Sequence, residues 1–458
     1  MSKDLPSFIA QEEKKRPGSV IRVKDRIDPN KHETIAYLKH LSDRGEQKMV
    51  WFENIVNLSG DQTPFSLFYN PWVTRQYVAD SLDMGDLKSG MDVSLEVAKR
   101  ELRKGEAEVV APSRAPCKEV VKKGAEVDLR TLPVPMHQKD DIGAYLTMVC
   151  VMKGMDKDFY DITFTKNMYF GPRRMSFSAH PHHHLEAMTT EYEKHNRRAP
   201  VVVVLGHHPA FYLSCCAMTP FGNNDYMTAG GFLGEPLRLT PSETWGEDFL
   251  VPADAEVIIE GEVPPGVRES QNPFGEILGY YQGKMDMPVV EVTAITYKKN
   301  GIVEDFWPGQ MDHWNLGSIP KEGSVYNVIK KNVPGIKAIH LPASGCGRLI
   351  CYISIKKEFI NDPNKAAMQA FVEMPNLKLC VVVDEDIDVF NEREVMWAVS
   401  TRTHWDKDIE IVRKVQSFRG WLGDAVAMID ATKPLKGEFP KRNEVPEDAM
   451  QRMSRFFK

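Results

Sequence analysis

The spacing of apolar residues changes twice along the chain, and each change marks a different kind of architecture. Residues 36–41 and 93–102 place apolar side chains at helical spacing, the second segment carrying Lys, Arg and Glu on its other face. Between them, 49–52 is short and apolar enough for a strand. Proline punctuates 111–135, at Pro112, Pro116, Pro133 and Pro135, which predicts an extended connection into a second domain. From about 145 to 300 β-branched runs dominate, at 145–153, 201–205, 256–260 and 289–297, each bounded by Gly, Pro or Asp. Helices are few in this stretch, one near 185–194 and another near 209–217.

Past about 320 the pattern alternates again: helix at 324–332, strands at 338–341 and 349–355, helix at 365–373, strand at 379–383, helix at 392–400. Strands alternating with helices predict a layered α/β domain whose ligands meet the C-terminal ends of strands. Residues past 435 read as a polar tail. The chain shows no internal repeat and no low-complexity block.

Composition narrows the class. A chain of 458 residues exceeds what one core usually organises, so two or three domains are expected. It is 42% hydrophobic and 27% charged with a net charge of −6, a balance that argues against a nucleic-acid or membrane surface as partner. The N-terminus lacks the apolar run of a signal peptide, and 199–218, the longest apolar stretch, is broken by Gly206-His207-His208-Pro209. Seven cysteines without CxxC spacing fit a reducing cytoplasm, Cys215-Cys216 reading as buried thiols.

Three segments carry candidate chemistry. In His180-Pro181-His182-His183-His184, four imidazoles fall in five residues, and an extended backbone puts 180, 182 and 184 on one face. An exposed patch with no metal is the alternative. Asp161 and Asp225 supply oxygen donors, which together with one imidazole suit Mn or Mg better than Zn. The turn Gln271-Asn272-Pro273-Phe274-Gly275-Glu276 leaves Glu276 at a strand edge, as a general acid or base or as a solvated turn residue. Asp384-Glu385-Asp386 with Asp388 follows an apolar strand and is expected to cap the next helix, metal binding being the alternative. Gly345-Cys346-Gly347 resembles a phosphate-binding turn only weakly.

In their order, several stretches together resemble the UbiD family of reversible decarboxylases. The resemblance is carried by Ala115-Pro116-Cys117-Lys118-Glu119-Val120, Leu132-Pro133-Val134-Pro135, Gly234-Glu235-Pro236-Leu237, 251–261, Pro273-Phe274-Gly275-Glu276 with Gly279-Tyr280, His340-Leu341-Pro342, 383–390 and Trp397-Ala398-Val399. It implies an α/β multidomain protein with a β-rich split-barrel flavin-binding domain at 121–315. N-terminal (1–120) and C-terminal (316–458) α/β domains would flank it, the last one mediating oligomerisation. It further implies prenylated FMN, a divalent metal (Mn or Mg) and a monovalent cation such as potassium.

Carried over by the family's spacing, the metal positions fall on Asp161, His184 and Asp225. His183 replaces His184 if the register slips by one. Phe164 and Thr165 would line the flavin beside Lys166, while Lys166, Gln271 and Glu276 take the family's catalytic Arg and two Glu positions. Four of these six metal and catalytic positions depart from the family pattern. Asp for Asn and Asp for Glu keep oxygen donors and add one negative charge. Lys166 keeps its charge but loses the planar fork of Arg, and Gln271 cannot titrate, which leaves Glu276 as the relay carboxylate.

The implied partners are a small carboxylic acid, carbon dioxide, a flavin prenyltransferase and further copies of the chain as a dimer or hexamer. Two rivals are a non-catalytic partner subunit of a multi-subunit aromatic carboxylase and a metal-dependent hydrolase built on the His cluster.

Overall fold

The computed structural model describes residues 3–180, 183–271, 273–415 and 420–457. The chain divides into two compact units, residues 1–328 with 339–351, and residues 329–338 with 352–458.

The first unit is built on a ten-stranded sheet that curls into a half-barrel, the split-barrel expectation. Its path runs Tyr145–Leu146, Asn167–Gly171, Arg174–Ser176, Met285–Tyr297, Val257–Val263, Ala199–Leu205, Val149–Lys153, Tyr160–Phe164. Arg268–Gln271 and Val120–Lys123 both pair onto the 13-residue strand Met285–Tyr297. The strand Ala199–Leu205, with four consecutive valines, is buried along nearly its whole length, as a strand covered on both faces must be. Glu260, fully buried in the neighbouring strand, is satisfied by Ser242 Oγ and the backbone amides of Glu243 and Thr244. A second sheet orders Val20–Val23, Met49–Phe52, Ser66–Tyr69 and Ile302–Glu304, and its side chains join those of the large sheet in one core.

The boundary expected at 120/121 falls at the first residue of the strand Val120–Lys123, and that at 315/316 falls inside the continuous helix Met311–Lys330. The segment 111–135 is more structured than an extended link, with four short 3-10 turns besides that strand. The helix Asp225–Leu233 has no counterpart in the sequence reading. Eight of its nine residues are buried, so its DYMTAGGFL sequence shows no polar face to betray it. Gly230 lets it approach its neighbour, since a Cβ there would sit 2.2 Å from the Glu106 carbonyl.

A five-stranded sheet that lies mostly in the second unit has the order Ile336–His340, Ile350–Ile355, Leu379–Asp384, Val426–Ala431, Ile409–Val412, and the second unit adds the helices Asp362–Glu373 and Glu392–Arg402. The acid run after Leu379–Asp384 does not cap the following helix, because Asn391 does so by accepting from the Arg393 amide. Asp384 and Asp386 instead pair with Arg402 Nη1 and Nη2 at 2.6 and 2.9 Å. All seven cysteines are free, Cys215 and Cys216 only partly buried. Among the described residues no helix is long and apolar enough to cross a membrane.

Candidate active site

Side chains expected to act together come from both rims of the half-barrel. The strand Tyr160–Phe164 ends in a two-residue link, Thr165-Lys166, before Asn167–Gly171, and this turn projects Lys166. Its Nζ donates to Glu276 Oε1 at 2.5 Å and lies 4.6 Å from the centroid of the Phe274 ring. Both members of this ion pair are mostly shielded from solvent. Glu276 opens a tight turn in which its amide donates to the Tyr280 carbonyl and the Gly279 amide donates back to the Glu276 carbonyl. Gly309 must be a glycine here, with φ +74° and a hypothetical Cβ 2.9 Å from the Glu276 carbonyl.

Gln271 is buried just behind Lys166. Its Oε1 accepts from Ser176 Oγ and Ser178 Oγ at 2.8 and 2.7 Å, and Ser178 also bonds the Lys166 carbonyl. It therefore sets the Lys166 backbone. Phe164 packs between Tyr212 and Phe306, with ring centroids 6.0 and 5.8 Å away. The Thr165 hydroxyl donates to Cys150 Sγ at 2.9 Å and accepts from Asn167 Nδ2 at 3.0 Å.

At the other rim Asp161 and Asp225 meet. Asp161 Oδ2 contacts His184 Nδ1 at 2.7 Å, and Asp225 Oδ2 accepts the Ile162 amide at 3.1 Å. Burial, then the Asp161 charge, pushes Asp225 up to about 6, although Ile162, Asn223 and Thr219 donate to it. The Asp161 hydrogen bond raises His184. His183, the alternative ligand, stands at the N-cap position of the helix His184–Lys194 without a side-chain capping bond, its ring centroid 6.2 Å from that of His180. Pro181 and His182 lie outside the described residues. Among the described residues no three His, Cys, Asp or Glu groups stand arranged to hold a metal. The chemistry of the set nonetheless fits a cation, because two buried carboxylates repel each other until a positive charge comes between them.

Three residues escaped the sequence reading: His313, Lys321 and Arg348. His313 Nδ1 accepts from the Gly309 amide at 3.2 Å, and its ring lies 4.6 Å from Phe306. Burial, then the charges of Lys166 and Arg348, lowers it to about 3, against the pull of Glu276. It is thus a neutral imidazole with its proton on Nε2. No local motif marks these residues. A helix-face reading of His313 and Lys321, eight apart, was the available signal.

The UbiD 3-octaprenyl-4-hydroxybenzoate carboxy-lyase Rift-related domain profile matches residues 108–311, and the C-terminal domain profile of the same name matches 314–419. The chain is 30% identical to the anhydromevalonate phosphate decarboxylase of Methanothermobacter thermautotrophicus, over 73% of this chain and 77% of that protein. It is 29% identical to the gallate decarboxylase of Lactiplantibacillus plantarum, over 67% and 66%. Its fold is similar to an evolved dimeric form of the UbiD-class enzyme HmfF from Pelotomaculum thermopropionicum in complex with prFMN, with a TM-score of 0.89, 28% identity and coverage of 99% and 100%.

Proposed function

This chain belongs to the UbiD family of carboxy-lyases, and on that premise we propose that it decarboxylates, or carboxylates in reverse, an aromatic or α,β-unsaturated carboxylic acid with prenylated FMN bound. The observation that carries this reading is the shielded Lys166–Glu276 pair: a fixed cation for the departing carboxylate in contact with a carboxylate able to move a proton. When bound, the flavin would supply the electron sink that lets carbon dioxide leave. The protein's share is positional and protic. Lys166 Nζ orients the substrate carboxylate and Phe274 walls one side, while Glu276, after taking up a proton from solvent, passes on the proton that takes the place of carbon dioxide. Gln271 cannot take part in proton transfer and serves as a strut under Lys166.

Asp161, His184 and Asp225 would hold a divalent cation against the flavin phosphate. Mn and Mg suit that donor set, with a monovalent cation such as potassium nearby. A flavin prenyltransferase would supply the cofactor. We also propose assembly of several copies through the second unit, supported by its exposed Phe359, Ile360 and Val372, which are 62%, 81% and 75% accessible. Light scattering at micromolar concentration checks this, with a monomer counting against it.

The test of the function is co-expression with a flavin prenyltransferase, followed by cofactor mass, metal content and carbon dioxide release from a panel of unsaturated acids. Cofactor-loaded protein that releases carbon dioxide supports the reading. Colourless, metal-free protein refutes it. Loaded protein inert towards every acid would favour the partner-subunit alternative.

A further inference from the structure

We propose that Tyr281 and Trp314 are positioning residues for the proton transfer: a hydrogen bond at each holds the turn that carries Glu276, so that its carboxylate stands against Lys166. The proposal rests on Glu276 as the proton donor and names the groups that keep it in place.

The turn needs such support because the large sheet does not hold it. Among the described residues Phe274–Gly275 pairs only with Tyr281–Gln282, a two-stranded ladder apart from the ten-stranded sheet. A hairpin of that size is marginal by itself in water, so its place relative to Lys166 is set by contacts outside the ladder. Trp314, in the first turn of the helix Met311–Lys330, donates from Nε1 to the Ile277 carbonyl at 2.9 Å. The Tyr281 hydroxyl accepts from the Asp140 amide at 2.9 Å. These two bonds fall on the residue after Glu276 and on the strand that returns beside it. The segment around Asp140 meets the hairpin twice more. The His137 and Phe274 rings stand edge to face with centroids 5.8 Å apart, and a Cβ on Gly275 would lie 2.5 Å from Gln138 Cγ.

The segment 137–141 is itself anchored. Buried His137 donates from Nε2 to Asp305 Oδ2 at 2.8 Å, and Asp305 also accepts from Thr147 Oγ1. Asp141 Oδ2 accepts the Gln138 amide at 2.8 Å, and the Gln138 carbonyl lies 3.0 Å from His32 Nε2. Moving the segment would strand these buried groups, which is costly. The Asp140 amide is therefore a fixed donor, and the Tyr281 oxygen bonded to it is a fixed point on the hairpin. A reacting group misplaced by about 1 Å can cost about 10²-fold in rate, so these bonds bear on turnover and not on substrate affinity. Tyr281 is 42% accessible, so Tyr281→Phe removes the acceptor without opening a cavity.

The experiment uses cofactor-loaded protein and compares wild type, Tyr281→Phe, Trp314→Phe and the double variant, with carbon dioxide release from the panel acid that the wild type turns over. Each single change should lower kcat by about 3–10-fold, the worth of one hydrogen bond, with KM, flavin content and thermal midpoint unchanged. The double variant should lose about 10–100-fold. In a Glu276→Gln background neither change should cost anything further, because a turn without its proton donor gains nothing from being held. Hydrogen exchange followed by mass spectrometry should be faster over 274–282 in both single variants. Exchange equal to wild type overturns the proposal, and so does wild-type kcat in the double variant. A loss of kcat that persists undiminished in the Glu276→Gln background also overturns it, by making the two residues merely structural. Full turnover in Glu276→Gln, or a wild type inert towards every acid, fails the reading of Glu276 and the positioning role with it. Exchange over 274–282 tells the two failures apart, since it does not depend on activity.

Discussion

The two rims of the candidate site carry opposite charge. At one, Asp161 and Asp225 crowd two carboxylates around a single imidazole, and Asp225 holds its proton to about 6. At the other, Lys166 pairs with Glu276, and the charges of Lys166 and Arg348 both bear on His313. Their histidines reflect this polarity, for Asp161 raises His184 while burial, Lys166 and Arg348 hold His313 down. The contrast separates two tasks. On the proposed function, the acidic rim would take a divalent cation and the basic rim the carboxylate of the substrate.

The contrast breaks most visibly at Glu276. Glu276→Gln should lower turnover by about 10²–10⁴-fold, the usual worth of general acid–base assistance, with cofactor content unchanged. Carbon dioxide release, or its isotope exchange into the acid, measures this across pH. Wild-type activity in a fully loaded variant would remove Glu276 from proton transfer. Gln271→Glu should be tolerated, and a second titrating carboxylate beside the first would displace the pH optimum.

At the acidic rim, Asp225→Asn should weaken divalent-metal binding by about 10–100-fold or more, since the loss of a charged ligand costs at least as much as the loss of a ligand's hydrogen-bond partner. Calorimetry with manganese reads it directly. Unchanged affinity would place the metal elsewhere and leave the acidic rim without its task.

The smallest effect sharpens the contrast between the histidines. His313 has a folded pKa of about 3 against an ordinary 6.5. Below 6.5 the unfolded chain binds a proton that the folded one refuses. The stability held by neutral His313 is therefore present above about 6.5 and lost as pH falls towards 3. Chemical denaturation from pH 7 to 4 should show a shallower loss of stability in His313→Gln than in wild type. Equal slopes would mean that His313 titrates normally.

Short, continuous β-branched runs announced the strands Ala199–Leu205 and Leu379–Asp384, which are buried nearly throughout, and apolar residues at helical spacing announced the helices Glu33–Asp43 and Glu392–Arg402, which are half-buried. The helix Asp225–Leu233 stayed hidden for the converse reason, being enclosed on all sides. Ordered motifs along the chain were enough to suggest the family, the family's spacing singled out Lys166, and the Asn-Pro turn together with that spacing singled out Glu276. They left open which of these residues meet. The contact of Lys166 with Glu276, 110 residues apart, depends on the curl of a sheet whose neighbouring strands come from distant parts of the chain. Burial made the same kind of decision for Gln271 and Thr165, whose polar ends turned to Ser176, Ser178 and Cys150 because a buried donor or acceptor must find a partner within the protein. Arg348 reached the helix Met311–Lys330 only because Gly317 left room for its guanidinium. Local sequence thus determined which elements form and which groups they carry, while charge and proximity among those groups are sums over the folded surroundings, and only the tertiary structure could supply them.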